Sequence, residues 1–285
     1  MSTSELAVEP RRATLPLRLF RSELRLVFGR RRNQALLVVL SSAPILIGTA
    51  VRIASPSGGG GDGPSFINQI TQNGLFLAFT SLIVALPFFL PLSVAVVSGE
   101  SIAGEASSGT LRGLLVVPVS RTRLLMVKYA SVVVFALAST LVVWGVGLIV
   151  GLLLFPHGDV TLLSGTTVSF TNAFGRALLV ALYVSAMLAG VGAIGIFAST
   201  LTEVPMGAMA ATAVLTIISE IVGAVPQVRV VWPYLFTTPW TAFGDLLRSP
   251  VPLEAMGRGL LVQAIYIAIF LSLAWARLTT RDVTS

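Results

Sequence analysis

Six long apolar runs divide the chain, and the polar stretches between them differ sharply in length and charge. The runs lie near residues 34–53, 74–97, 129–155, 174–199, 205–225 and 259–276. A helix rises about 1.5 Å per residue, so each run suffices for a helix crossing a hydrocarbon core of about 30 Å. The fourth and fifth runs are parted only by a polar turn at 200–204, after which Pro205 suits the first turn of a helix. Ahead of the first run, residues 14–32 carry a different pattern. Leu17, Phe20, Leu24 and Val27 recur at helical spacing, while Arg18, Arg21, Ser22 and Arg25 gather on the other side. This predicts an amphipathic helix lying in the membrane interface. The fold class expected is therefore an all-α membrane protein with six transmembrane helices and an N-terminal interfacial amphipathic helix.

The connections separate by chemistry. Residues 55–64 (SPSGGGGDGP) read as a flexible loop, and their glycines are not a phosphate cradle because no lysine follows. Residues 156–172 are short and polar. Residues 226–258 mix proline with Trp232, Tyr234, Phe236, Trp240 and Phe243, which predicts short outer helices between spans five and six, partly re-entrant around 240–247. Residues 98–128 form a long polar connection with helix-forming content.

Charge fixes the expected orientation. The N-terminal segment holds eight arginines, the 98–128 connection holds Arg112, Arg121, Arg123 and Lys128, and the tail holds Arg277 and Arg281. Fourteen of nineteen cationic side chains thus fall on one side, which the positive-inside rule makes the cytoplasm. Both termini are expected there. The chain divides into a cytoplasmic segment 1–33, a transmembrane domain 34–276 and a cytoplasmic tail 277–285. The first 33 residues are too long and polar for a signal peptide n-region, so the first run is expected to stay as a span.

Composition sharpens this picture. Charged residues make up 11% of the chain and mean hydropathy is +0.90, against roughly 25% charge in soluble domains. A net charge of +7 would also fit nucleic acid, but the basic residues flank apolar runs, as expected beside anionic headgroups. Without cysteine there is no thiolate for zinc or iron–sulfur chemistry. His157 is the single histidine, with Asp159 beside it, too few ligands for a metal site. No span holds a histidine and no GxSxG elbow exists, so an intramembrane hydrolase is not expected, and no catalytic residue is assigned. Residues 190–195 match GxGxxG but lie inside an apolar span, where small residues let helices approach closely; Gly147 and Gly151 read the same way. No internal repeat is visible, which argues against an inverted-repeat transporter.

Three residues within spans stand out. Glu220 is an acid in the fifth run, costly in lipid. It is either an interfacial carboxyl, paired with Arg229 or protonated, or a group for substrate contact or gating. Pro87 and Pro91 remove two backbone donors from the second span and should kink it, making it a candidate moving or pathway-lining element.

In the 98–128 connection, Glu100 and Glu105 are the only acids. Leu111, Leu114 and Leu115 share one helical face, Pro118 ends that helix, and Ser120 is a fit N-cap for a second helix running into the third span. Arg121 and Lys128 share a face suited to headgroups or an acidic partner. The chain has no GxxxxGK[ST], so energy for transport must come from another subunit.

These residues resemble a family. Glu105-Ala-Ser-Ser-Gly109-Thr110-Leu111, then Leu114-Leu115, Pro118-Val-Ser-Arg121, Leu124-Leu125 and Lys128 look like the cytoplasmic loop of ABC-2 type permeases, the membrane subunits of ATP-binding-cassette exporters. The family pattern is roughly E-x-E-x-G-T-L, then L-L, P-V-S-R and L-L-x-x-K. At Ser107 many members carry a second acid, which leaves Glu105 to make the acidic contact. The resemblance implies a cytoplasmic coupling helix around 105–117, with Glu100, Glu105, Gly109, Thr110, Leu111, Arg112, Leu114, Leu115, Pro118 and Arg121 as the coupling set toward an ATPase subunit. It also implies two ATPase copies and a second permease copy, as homodimer or related heterodimer.

The function expected is an export permease in a bacterial inner (plasma) membrane, moving a hydrophobic or amphipathic substrate such as a drug, antibiotic or lipid. It would not be an enzyme by itself and would bind no cofactor or metal, with ATP and magnesium on the partner subunit. The other readings are a mechanical coupler acting on a periplasmic partner without transport, or an ATP-independent transporter or channel.

Overall fold

The computed structural model describes residues 15–54, 65–107, 120–162 and 164–280. It is built from helices: α1 (Leu15–Gly29), α2 (Arg31–Ala54), α3 (Ser65–Gln72), α4 (Leu75–Ala85), α5 (Phe89–Ser107), α6 (Arg121–Leu154), α7 (Phe170–Leu201), α8 (Pro205–Ala224) and α9 (Glu254–Thr280). Two 3-10 segments, Pro226–Tyr234 and Thr238–Leu247, connect α8 to α9. Between α6 and α7 a two-residue hairpin pairs β1 (Val160–Thr161) with β2 (Thr167–Val168), Val160 opposite Val168. Helices α2, α6, α7, α8 and α9 are long and apolar enough to cross a membrane, and α4 with α5 makes a sixth if that bent pair is one span. The architecture is that of an all-α membrane protein.

α7 is the central post. It packs against α5, α6, α8 and α9, and its side chains from Val180 to Ile196 are almost all buried. Its glycines explain how so many neighbours fit. A Cβ on Gly190 would strike the Gln263 side chain of α9, one on Gly192 would lie 2.9 Å from Val132 of α6, and one on Gly195 would strike Ser98 of α5. The GxGxxG pattern is thus a three-way packing surface, and small residues bring backbones together where lipid gives no hydrophobic drive. Gly147 and Gly151 do the same for α6 against α4, where Gly151 faces the backbone of Gly74.

The second span is broken rather than merely kinked. α4 and α5 meet at 56° across residues 86–88, with Pro87 in the break. Pro91 falls in the first turn of α5, where its missing N–H would have no helical partner in any case. At its other end α5 runs on to Ser107, ten residues beyond the expected end at 97. The reason is polar contact: the Ser199 hydroxyl of α7 accepts from the backbone N–H groups of Ile102 and Ala103 and donates to the Gly99 carbonyl. α6 starts at Arg121, with Ser120 as N-cap accepting from the Arg123 N–H at 3.3 Å. The two ends of the 98–128 connection, 98–107 and 121–128, are therefore extensions of α5 and α6. Its middle, 108–119, lies outside the described residues, and with it Gly109, Thr110, Leu111, Arg112, Leu114, Leu115 and Pro118.

Two features were not expected. α3 precedes the second span, and Asn73 joins it to α4: its side-chain oxygen accepts from the Leu75 N–H at 3.0 Å while its amide donates to the carbonyl of Gly158. The β1–β2 hairpin sits in the connection read as a plain loop.

Candidate functional site

The described ends of the 98–128 connection are each fixed by charge. Lys128 is buried, 2% exposed, and its Nζ lies 2.6 Å from a Glu105 oxygen and 3.3 Å from one of Glu23. Glu23 reaches it because α1 packs on α6: Arg18, Arg21, Ser22 and Arg25 stay exposed while Val27 and Phe28 pack against the core, with Phe28 5.9 Å from the Phe135 ring. The two faces of α1 are as its sequence divides them, but Leu17 is exposed and the buried side holds an acid. One α-helical turn nearer the bend, Glu100 pairs with Arg30 at 2.6 Å and with Arg32, at the corner between α1 and α2. Lys128 thus serves an internal three-residue cluster rather than headgroups or an external partner.

On the exit side, Arg121 donates to the carbonyls of Leu278 and Thr279 at the end of α9. Such a cation satisfies carbonyls that a helix end leaves without partners. The Trp275 indole of α9 donates to the Thr122 hydroxyl at 2.9 Å. Residues 108–119 therefore run between two anchored posts, α5 held by α1, α2, α6 and α7, and α6 held by α1 and α9.

The bend places the other sequence-flagged residues together. α8 packs antiparallel on α5: Gly99 meets Met209, and Pro91 shares a small cleft with Thr216. Continuing in that register, Glu220 comes level with Pro87. Both line a pocket of about 300 Å³ whose walls include Trp232, Thr237, Thr238 and Trp240. Thr237 interacts with the Glu220 carboxyl and its hydroxyl also meets that of Ser219 at 2.8 Å. Glu220 forms no ion pair among the described residues. The guanidinium of Arg229, its candidate partner, stands instead over the Trp232 ring at 5.6 Å. Among the described residues no three His, Asp or Glu side chains gather as metal ligands.

Sequence reasoning missed Glu23 and Gln263. Gln263 is buried in α9, its amide donating to the Phe236 carbonyl in the link between the two 3-10 segments. Phe236 in turn contacts Trp240 and Tyr266, with ring centroids 6.0 and 5.3 Å apart. A lone amide in an apolar run carried the signal for Gln263, as a polar group in a span needs a partner.

Fold and site together define an all-α protein with five or six helices of membrane-spanning length, a fixed charged cluster at the paired ends of α5 and α6 and a pocket beside a broken span. A family model described as "Protein of unknown function (DUF2705)" matches residues 46–284, and the chain belongs to that family. No curated protein matches it.

Proposed function

We propose that this chain is the permease subunit of an ATP-driven exporter of the ABC-2 type, with both ends and the 98–128 connection in the cytoplasm and ATP hydrolysed by two copies of a separate subunit. The observation that carries the reading is the linkage from residues 108–119 to the pocket. The segment bearing the Gly109–Thr110–Leu111 and Leu114–Leu115 pattern emerges from α5, and the same helix ends at the Pro87 break that walls the Glu220 pocket. A push on 108–119 enters α5 and α6 directly, because polar contacts fix both to the bundle on either side. Movement of α5 against α8 would change the pocket at its far end. Packed helices with two discrete arrangements transmit such shifts.

The second permease copy would meet this one through helix faces that are apolar and exposed. α8 presents Val214, Ile217, Ile218 and Ile221 outward, and such faces meet either lipid or a second membrane subunit.

The pocket favours direct transport over mechanical coupling, since a coupler needs no chamber. The reading is tested with the tagged chain purified from its native membrane in mild detergent. A subunit bearing a phosphate-binding loop is expected to co-purify. Arg112→Ala in the reconstituted complex is expected to lower transport while the subunit still hydrolyses ATP and the chain still inserts. Purification of the chain without any such subunit overturns the proposal.

A further inference from the structure

The Glu220 pocket has a neighbour of opposite charge. A second pocket, of about 370 Å³, is lined by Arg229 and Arg258, and it shares Trp232, Thr238 and Thr241 with the first as a common wall. One chamber therefore offers a carboxylate and the other two guanidinium groups, side by side. Neither charge is spent on the other, because Arg229 stacks on Trp232 and not on Glu220. Among the described residues Arg258 is held by Glu254, an exposed pair one helical turn apart that water screens.

The wall is built rather than incidental. The Trp232 indole donates to the Val222 carbonyl at 3.2 Å, which fixes the ring against the end of α8. Trp240 is 1% exposed, lines the Glu220 chamber, and its indole N–H has no partner among the described residues. In the same 3-10 segment as Arg229 and Trp232, Val228, Val230 and Val231 are exposed, an apolar setting for acyl or alkyl groups.

We propose that the paired chambers take a zwitterionic amphiphile: a cationic ammonium in the Glu220 chamber, flanked by tryptophan, and a phosphate or other anionic group at Arg229 and Arg258. Aromatic faces and a carboxylate are the groups that recognise an ammonium, and a guanidinium fork matches a phosphate. A simple organic cation would fill the first chamber and leave the arginine-lined one unused, and a simple anion would leave Glu220 without a counter-charge. Only a molecule carrying both charges satisfies both chambers. The proposal deepens the export reading by naming the class of cargo and rests on that reading for the word cargo alone. Binding is measured without the ATPase, so failure of binding and failure of export are separate results.

The test uses the full chain in maltoside micelles with Trp144→Phe and Trp275→Phe, which leaves Trp232 and Trp240 as reporters. Quenching of their fluorescence is titrated with three probes bearing the same brominated chains: a phosphatidylcholine, a phosphatidic acid and an alkyltrimethylammonium. The phosphatidylcholine is expected to bind at least about tenfold more tightly than either single-charge probe, the scale of one charge-assisted contact. Glu220→Gln is expected to erase its advantage over phosphatidic acid, and Arg229→Gln its advantage over the alkyltrimethylammonium. Equal quenching by all three probes overturns the proposal, as does tighter binding of the alkyltrimethylammonium or of the phosphatidic acid. An unaltered phosphatidylcholine affinity in Glu220→Gln also overturns it. The three-probe comparison on the Glu220-containing chain decides the matter even if a charge variant does not fold.

Discussion

Lys128 is the residue on which the charged end of the molecule depends. It is buried with one carboxylate on each side, so its removal would leave Glu105 and Glu23 facing each other away from water. Breaking a buried ion pair typically costs about 3–5 kcal/mol, and Lys128→Gln is expected to destabilise the protein by that order in detergent thermal unfolding. Arg258→Gln, which removes an exposed pair, is expected to change stability by less than about 1 kcal/mol. Equal effects of the two would mean that the cluster is not buried as described. The Lys128 pairing was not legible locally, because Glu23 stands 105 positions away and only the packing of α1 on α6 joins them. Ser120 and Pro205 were legible, since a cap and a first-turn proline act within their own helix turn. Glu220 was legible as an oddity, but its surroundings were not: Arg229, one of the partners open to it, stands over tryptophan instead.

At the scale of elements, the break at Pro87 sets the shape of the pocket. Replacing both prolines restores two backbone donors to the second span, so Pro87→Ala with Pro91→Ala is expected to straighten α4 on α5. The chain has no cysteine, so spin labels placed at Val84 and Ile221, both exposed, report the change directly. A shift in their separation by electron–electron resonance is expected; an unchanged distance would show that packing and not proline makes the bend. The close backbones at Gly74 and Gly151 give a second expectation. Gly151→Ala puts a Cβ into the Gly74 backbone and should cost at least about 1–3 kcal/mol, the range for an overpacked core. The long apolar helices were legible because apolar length alone specifies them; the second run was legible as bent, not as two separate helices. The extension of α5, α3 and the β1–β2 hairpin were not, because polar residues there are ordered by contacts with other parts of the chain.

At the scale of the whole molecule, the bundle joins two places far apart in sequence. One is the anchored ends of α5 and α6 that residues 108–119 join, and the other is the pocket at the break. The stiff elements between them are α5 itself and the central α7, whose Ser199 holds α5 by its backbone. The proposed export requires a separate motor that grips residues 108–119. The most direct measurement places a single cysteine at Arg112 of the cysteine-free chain and treats native membranes with a short bifunctional thiol–amine crosslinker. One adduct is expected, the 30.0 kDa chain joined to a subunit bearing a phosphate-binding loop, whose yield changes when ATP is trapped. Accessible cysteine that gives no adduct with any such subunit would contradict it.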